Sequence, residues 1–155
     1  MKLPAIISFV LFAITPSAIP PCGRHLTQAQ AKARLEGAGV YASSSGGCTD
    51  KTKPTCTSYD GMLENTTNNV ISLKQSCFCS ITITGGTEVG HTNGKYSHAK
   101  GHSVNIRLDA GLNNYIQTKF KRIGDRSDGS PQWESPAGNI YAKAVNRWDA
   151  TYPCT

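Results

Sequence analysis

The chain has 155 residues, of which 38% are hydrophobic, and its 16 Lys and Arg against 10 Asp and Glu give a formal charge of +6. This length suffices for one domain with a modest core. The basic residues do not cluster among aromatic residues, which argues against nucleic-acid binding. The positive charge instead favours a basic secreted protein that is attracted to an anionic cell wall or to an acidic partner.

The beginning of the chain has the pattern of a secretory signal peptide. Lys2 precedes an apolar run over residues 5–14, and small residues at 16–18 allow cleavage after position 18. A membrane anchor is the alternative, but this apolar run is too short to cross a bilayer. We therefore expect a signal peptide at residues 1–18 and one soluble, secreted domain without membrane contact, a monomer, at residues 19–155.

Two helices are predicted in the first half of the chain. Thr27 and Gln30 form a capping box at the start of a helix that reaches about Glu36. Residues 41–57 are rich in Ser, Gly, Lys and Pro, which is typical of a loop. A second helix is predicted within residues 58–75, although its Asn- and Thr-rich centre favours helix formation only weakly.

Strands dominate the second half. Their alternation of apolar and polar residues predicts strands at residues 80–84, 103–107, 132–134, 139–143 and 146–151. Asp109 is placed to cap a helix at about residues 112–123, whose apolar residues recur at helical spacing. Since the sequence contains no repeats and no linker, it predicts one α+β domain.

An even number of cysteines in a small secreted chain predicts disulfides rather than zinc-bound thiolates. The six cysteines are Cys22, Cys48, Cys56, Cys77, Cys79 and Cys154. Cys48 and Cys56 bracket one loop and are expected to pair. Cys77 and Cys79 are too close in an extended chain to pair easily, so we expect each of them to reach Cys22 or Cys154.

One sequence motif predicts a modification. Asn65-Thr66-Thr67 is an N-glycosylation sequon. It predicts a glycan at Asn65 and places this segment on the surface of a glycoprotein.

A Gly-rich loop with two histidines lies between the first two predicted strands. Residues 85–91 read Gly-Gly-Thr-Glu-Val-Gly-His, and His98 is followed by Gly101 three positions later and by Asn105 seven positions later. This stretch resembles the zinc D-alanyl-D-alanine peptidases, whose fold is shared with the Hedgehog signalling domain, and in particular their small secreted fungal branch. The resemblance implies an antiparallel sheet with helices packed on one side.

The same resemblance implies a zinc site in which several positions have changed. The family motif has an Asp where Asn105 stands, and its last zinc ligand is a His, followed in this branch by Trp-Asp. Here Trp148 and Asp149 are in place, but Arg147 occupies the position of that His, and Ala144 occupies the position of the Glu three residues earlier. The implied pocket therefore comprises His91, His98, Asn105, Ala144, Arg147, Trp148 and Asp149.

These replacements predict the loss of catalysis. Zinc hydrolases need ligands that hold the ion and a carboxylate that takes a proton from the bound water. Asn105 is a weak ligand, Arg147 is always charged and would repel the ion, and Ala144 provides no base. His98 alone stays a weak candidate for zinc, so we expect no catalytic residue and no cofactor.

Two functions are consistent with these residues. The first is a catalytically inactive peptidase-like protein, a fungal extracellular effector or virulence factor, that binds a host protein or a ligand derived from the cell wall. The second is a metal-dependent D-Ala-D-Ala-type peptidase or amidase with a rebuilt site, for which zinc would be the cofactor. For Arg147 the sequence leaves two roles open: it binds a ligand carboxylate, or it pairs with Asp149 or Glu88 and fills the pocket.

Overall fold

A computed structural model describes residues 18–155; the predicted signal peptide lies, except for residue 18, outside this part. The helices are α1 (Gln28–Gly37), α2 (Glu64–Cys77) and α3 (Ala110–Lys119), and His98–Lys100 form a short 3-10 turn. The strands are β1 (Tyr41–Ala42), β2 (Thr82–Gly85), β3 (Ser103–Arg107), β4 (Lys121–Ile123), β5 (Gln132–Glu134), β6 (Ile140–Lys143) and β7 (Arg147–Thr151). The chain is thus a small α+β domain, as predicted.

All seven strands form one sheet in the order β1-β2-β3-β7-β6-β5-β4. The prediction of an antiparallel sheet is wrong at one edge, because β1 pairs in parallel with β2 and the sheet is therefore mixed. The remaining pairs are antiparallel. The sequence did not predict β1, since a strand of two residues has no measurable period.

The two faces of the sheet differ in chemistry. Val104 and Ile106 of β3 lie opposite Ala150 and Trp148 of β7, and all four are fully buried in the hydrophobic core. Apolar side chains from all three helices belong to the same core; they include Leu35, Val70, Leu112 and Ile116. The helices therefore cover this face, and the alternate residues of β3 and β7 point to the other face.

Both predicted caps are present. Thr27 accepts a hydrogen bond from the Gln30 backbone and the Gln30 side chain accepts one from the Thr27 backbone, which completes the capping box of α1. Asp109 accepts a hydrogen bond from the Leu112 N–H at the start of α3. These local hydrogen bonds satisfy backbone donors that a helix leaves open at its first turn.

Two predicted helix boundaries were wrong. The predicted helix at 58–75 begins only at Glu64. The helix predicted at 112–123 ends at Lys119, because Phe120 is extended and the next three residues pair with β5. Sheet pairing in β4 thus overrides the helical spacing of the apolar residues.

The disulfides are Cys22–Cys154, Cys48–Cys56 and Cys77–Cys79. The second was predicted, but the expectation that Cys77 and Cys79 reach the chain ends was wrong. Phe78 between them has φ 49° in the left-handed region at the end of α2, so the chain is not extended there. Their Cα atoms lie 5.1 Å apart, a normal disulfide separation. Three disulfides indicate an oxidising environment.

Asn65 does not lie on the surface. It is 8% exposed in the first turn of α2, and its side-chain amide donates to the Tyr152 carbonyl at 3.4 Å. The prediction that the sequon marks a surface segment is therefore wrong, since a glycan on this amide would displace that contact. Within residues 18–155, moreover, no helix has the length and apolar character needed to cross a membrane.

Candidate binding pocket

A pocket of about 460 Å³ opens on the polar face of the sheet. Its floor comes from β3 and β7, and its wall comes from the Gly-rich loop that follows β2. The cross-strand pairs Ser103–Thr151 and Asn105–Asp149 place four polar side chains side by side on the floor. Strand alternation alone therefore creates a polar surface directly behind the hydrophobic core.

Two glycines at the end of β2 allow close approaches between neighbouring segments of the chain. A Cβ added to Gly85 would lie 2.6 Å from Nδ2 of Asn105 and 3.0 Å from Cε1 of His91. A Cβ added to Gly86 would lie 1.9 Å from the Ser58 carbonyl oxygen. Such distances are shorter than van der Waals contact, so both positions require glycine.

Glu88 anchors the loop from below. Its carboxylate is 2% exposed and accepts hydrogen bonds from the backbone N–H groups of Ser58 at 2.7 Å and Gly86 at 3.0 Å. Nε2 of His91 donates a further hydrogen bond at 2.8 Å. Burial raises the pKa of Glu88, but the hydrogen bonds from His91, Ser58 and Gly86 outweigh it and hold the pKa below its ordinary value. Glu88 is therefore a buried structural anion whose carboxylate accepts hydrogen bonds from three different residues.

His98 lies beside this anchor with one nitrogen facing the pocket. Its ring is 8% exposed and stacks on His91 with a centroid distance of 3.8 Å. Nδ1 donates to the Gly86 carbonyl at 2.6 Å, which leaves Nε2 without a hydrogen-bond partner in residues 18–155. Burial, with His91 adding to it, lowers the pKa of His98 to about 4. At neutral pH, Nε2 is therefore a hydrogen-bond acceptor.

The low pKa of His98 predicts a pH-dependent stability. The unfolded chain binds a proton at about pH 6.5 and the folded chain only near pH 4, so folding loses stability as the pH falls through this range. The shift corresponds to about 3 kcal/mol. We expect the free energy of unfolding of His98→Gln to depend less on pH between pH 6.5 and 4 than that of the unchanged chain, as measured by urea denaturation.

The control for this prediction is His25→Gln, since His25 is exposed and the one hydrogen bond of its side chain within residues 18–155 is with the Gly61 carbonyl. This role of His98 would be contradicted if lowering the pH destabilised His98→Gln as steeply as it destabilises the unchanged chain.

Asn105 forms no side-chain hydrogen bond with any residue from 18 to 155, although it is only 7% exposed. It lines the pocket next to Asp149, its partner in the β3–β7 pair. A buried amide normally has protein partners. The polar atoms of Asn105 are therefore available to a molecule in the pocket.

Asp149 is held between two arginines. It accepts a hydrogen bond from Nη1 of Arg126 at 2.7 Å and one from Nε of Arg147 at 2.6 Å. Arg126 also binds Asp128, and this pairing raises the pKa of Arg126 and holds that of Asp128 well below its usual range. Among the pocket-lining residues that the structure describes, Asp149 is the single carboxylate, and both its oxygens are occupied.

The structure brings together five of the predicted pocket residues. His91, His98, Asn105, Arg147 and Asp149 line the pocket. The predicted pairing of Arg147 with Asp149 is present, but the Arg147 side chain is 41% exposed and leaves the pocket open.

Two predicted residues lie elsewhere. Ala144 is in the turn between β6 and β7, where its N–H donates to the Arg147 carbonyl. Trp148 is fully buried on the helix side of the sheet and donates from Nε1 to Asn113. Arg126 was missed, because it lies in a turn-rich loop without periodicity, and its contact with Asp149 spans 23 positions.

The potential metal ligands do not converge in this pocket. In the part of the chain that the structure describes, one group of three His, Cys, Asp or Glu atoms lies within 4.8 Å: Cys22, His102 and Cys154. Two of these are joined in a disulfide and provide no thiolate. The side chains that line the pocket are therefore better suited to hydrogen bonding with a ligand than to binding a metal ion.

Comparisons of the chain with protein-family models, with curated proteins and with solved structures found no match. The pocket itself is therefore the basis for any functional conclusion.

Proposed function

We propose that this protein is a secreted, catalytically inactive domain with a D-alanyl-D-alanine-peptidase-like fold, which acts by binding a ligand in the pocket. The proposal rests on one observation: both carboxylate oxygens of Asp149 form ion pairs, one with Arg126 and the other with Arg147. A carboxylate neutralised in this way cannot serve as a metal ligand or as a general base.

The surrounding residues support the same conclusion. Asn105 is uncharged, Arg147 is a cation, and Glu88 is buried in a complete set of hydrogen bonds. Hydrolysis by zinc requires an ion with an open coordination position and a free base beside it. Neither requirement is met by the side chains that line the pocket.

The three disulfides and the net positive charge fit an extracellular location and a role as an effector. The partner is then a host protein or a ligand derived from the cell wall. The alternative, a zinc peptidase with a rebuilt site, is favoured by one observation, which is that Nε2 of His98 has no hydrogen-bond partner in the described part of the chain.

A hydrolysis assay separates these two functions. We expect the purified protein, supplied with excess zinc, to release no D-alanine from D-Ala-D-Ala peptides above the background rate, because the one carboxylate among the described residues that line the pocket is paired with two arginines and cannot act as a base. Turnover that disappears in His98→Ala, with folding retained, would establish the enzyme instead.

A further inference from the structure

We infer that the pocket takes a small carboxylate that carries an O–H or N–H donor next to the carboxylate group. This inference rests on the proposed binding function and assigns the ligand class to the same site. Three side chains carry it: Arg147, Asn105 and His98.

Arg147 offers the binding group for the anion. Its Nε is used by Asp149 and its Nη1 is 3.5 Å from Asn146, while Nη2 has no partner in the described residues 18–155. Arg147 lines the pocket, and apart from the long contact of Nη1 its terminal N–H groups are open to a ligand. A planar guanidinium edge matches the two oxygens of a carboxylate, which makes this the geometry that proteins use for such ligands.

The charged side chains at the pocket form a paired cluster. The described residues that line the pocket include two arginines and one aspartate, apart from the two imidazoles. Asp128, the second anion bound to Arg126, does not line the pocket and is 52% exposed. Because Asp149 pairs with both arginines and Asp128 pairs with Arg126, the free N–H groups of Arg147, and not a net charge, would attract the ligand carboxylate.

Asn105 and His98 indicate which polar groups the ligand carries besides its carboxylate. Both are more than nine-tenths buried, at 7% and 8% exposure, both line the pocket, and each has polar side-chain atoms without a hydrogen-bond partner among residues 18–155. Such groups gain most from a ligand that satisfies them, because an unmade hydrogen bond in a buried place costs free energy. Nε2 of His98 accepts a hydrogen bond, so the matching group on the ligand is a donor.

The size of the pocket limits the ligand to a small molecule or to the end of a larger one. A volume of about 460 Å³ lies in the lower half of the range found for small-molecule sites. A uronic acid and an N-acylated amino acid both fit this volume. Each of them combines a carboxylate with a neighbouring donor, O–H in the first and N–H in the second.

Calorimetric titration of the native, disulfide-bonded protein tests the inference with glucuronate and N-acetylalanine as probes. Glucose and N-acetylalanine amide lack the carboxylate, and acetate lacks the donor. We expect at least one of the two full probes to bind about tenfold or more tightly than each of its controls. Binding of glucuronate alone assigns an acidic sugar, and binding of N-acetylalanine alone assigns an acylated amino acid or peptide end.

Variants connect this binding to the pocket. Arg147→Gln should weaken the bound probe about tenfold or more, whereas Arg107→Gln should change its affinity less than about twofold. Arg107 is the matched control, because it is the cross-strand partner of Arg147, is exposed and donates to Ser43 outside the pocket. Asn105→Asp, which places a negative charge beside the ligand carboxylate, should also weaken binding and provides a second test if Arg147→Gln does not fold.

The inference is overturned if neither full probe binds at millimolar concentration, or if folded Arg147→Gln and Asn105→Asp bind as tightly as the unchanged protein. These outcomes are distinct from a failure of the proposed function, which would show as zinc binding or peptide hydrolysis and not as a missing carboxylate site.

Discussion

Replacing Cys22 and Cys154 together by alanine is expected to lower the free energy of unfolding by about 5 kcal/mol, as estimated from chain entropy. The two residues are 132 positions apart, so this disulfide restricts nearly the whole unfolded domain. Small domains are stable by roughly 5–15 kcal/mol, so a loss of this size would remove between about a third and all of that stability. Urea denaturation of residues 19–155 measures the effect.

The matched control is the Cys77→Ala/Cys79→Ala variant, whose disulfide spans a separation of 2 and should contribute only about 1.5 kcal/mol by the same estimate. If this pair proved the more costly to remove, loop entropy would not be the source of disulfide stabilisation in this protein.

Removing the Glu88 carboxylate should have the second-largest effect on stability. Glu88→Ala leaves the N–H groups of Ser58 and Gly86 and the imidazole of His91 without their acceptor in a nearly inaccessible place. We expect a loss of about 3 to 5 kcal/mol, the range found when one partner of a buried charged contact is deleted. Thermal and urea unfolding both measure it.

Glu36→Ala serves as its control, since Glu36 forms an exposed ion pair with Lys32 one turn away on α1. Exposed pairs of this kind contribute about 0.3 to 0.5 kcal/mol. Equal losses in the two variants would mean that Glu88 does not anchor the loop.

Features set by neighbouring residues could be predicted from the sequence. The Thr27–Gln30 capping box, the Asp109 cap and β3 depend on side chains a few positions apart, and all three are present. The Cys77–Cys79 disulfide could not be predicted by this logic, because it depends on the left-handed conformation of Phe78, which a non-glycine residue adopts infrequently.

The pocket was predictable in part. His98, Asn105, Arg147 and Asp149 do meet, but Trp148 cannot join them, since adjacent residues of β7 point to opposite faces of the sheet. Strand periodicity alone could have excluded Trp148. Arg126 reaches Asp149 from a loop, and a contact between a loop and a distant strand has no signature in sequence spacing.

Metal analysis of the purified protein tests the central claim, a binding pocket without a catalytic ion, most directly. After incubation with excess zinc and exhaustive dialysis, we expect far less than one zinc per chain, because Arg147 and Asn105 occupy positions on the pocket floor where ligands would be needed. The Asn105→Asp/Arg147→His variant is the positive comparison, since it adds two ligands beside His98. One zinc per chain in the unchanged protein, lost in His98→Ala, would contradict the account.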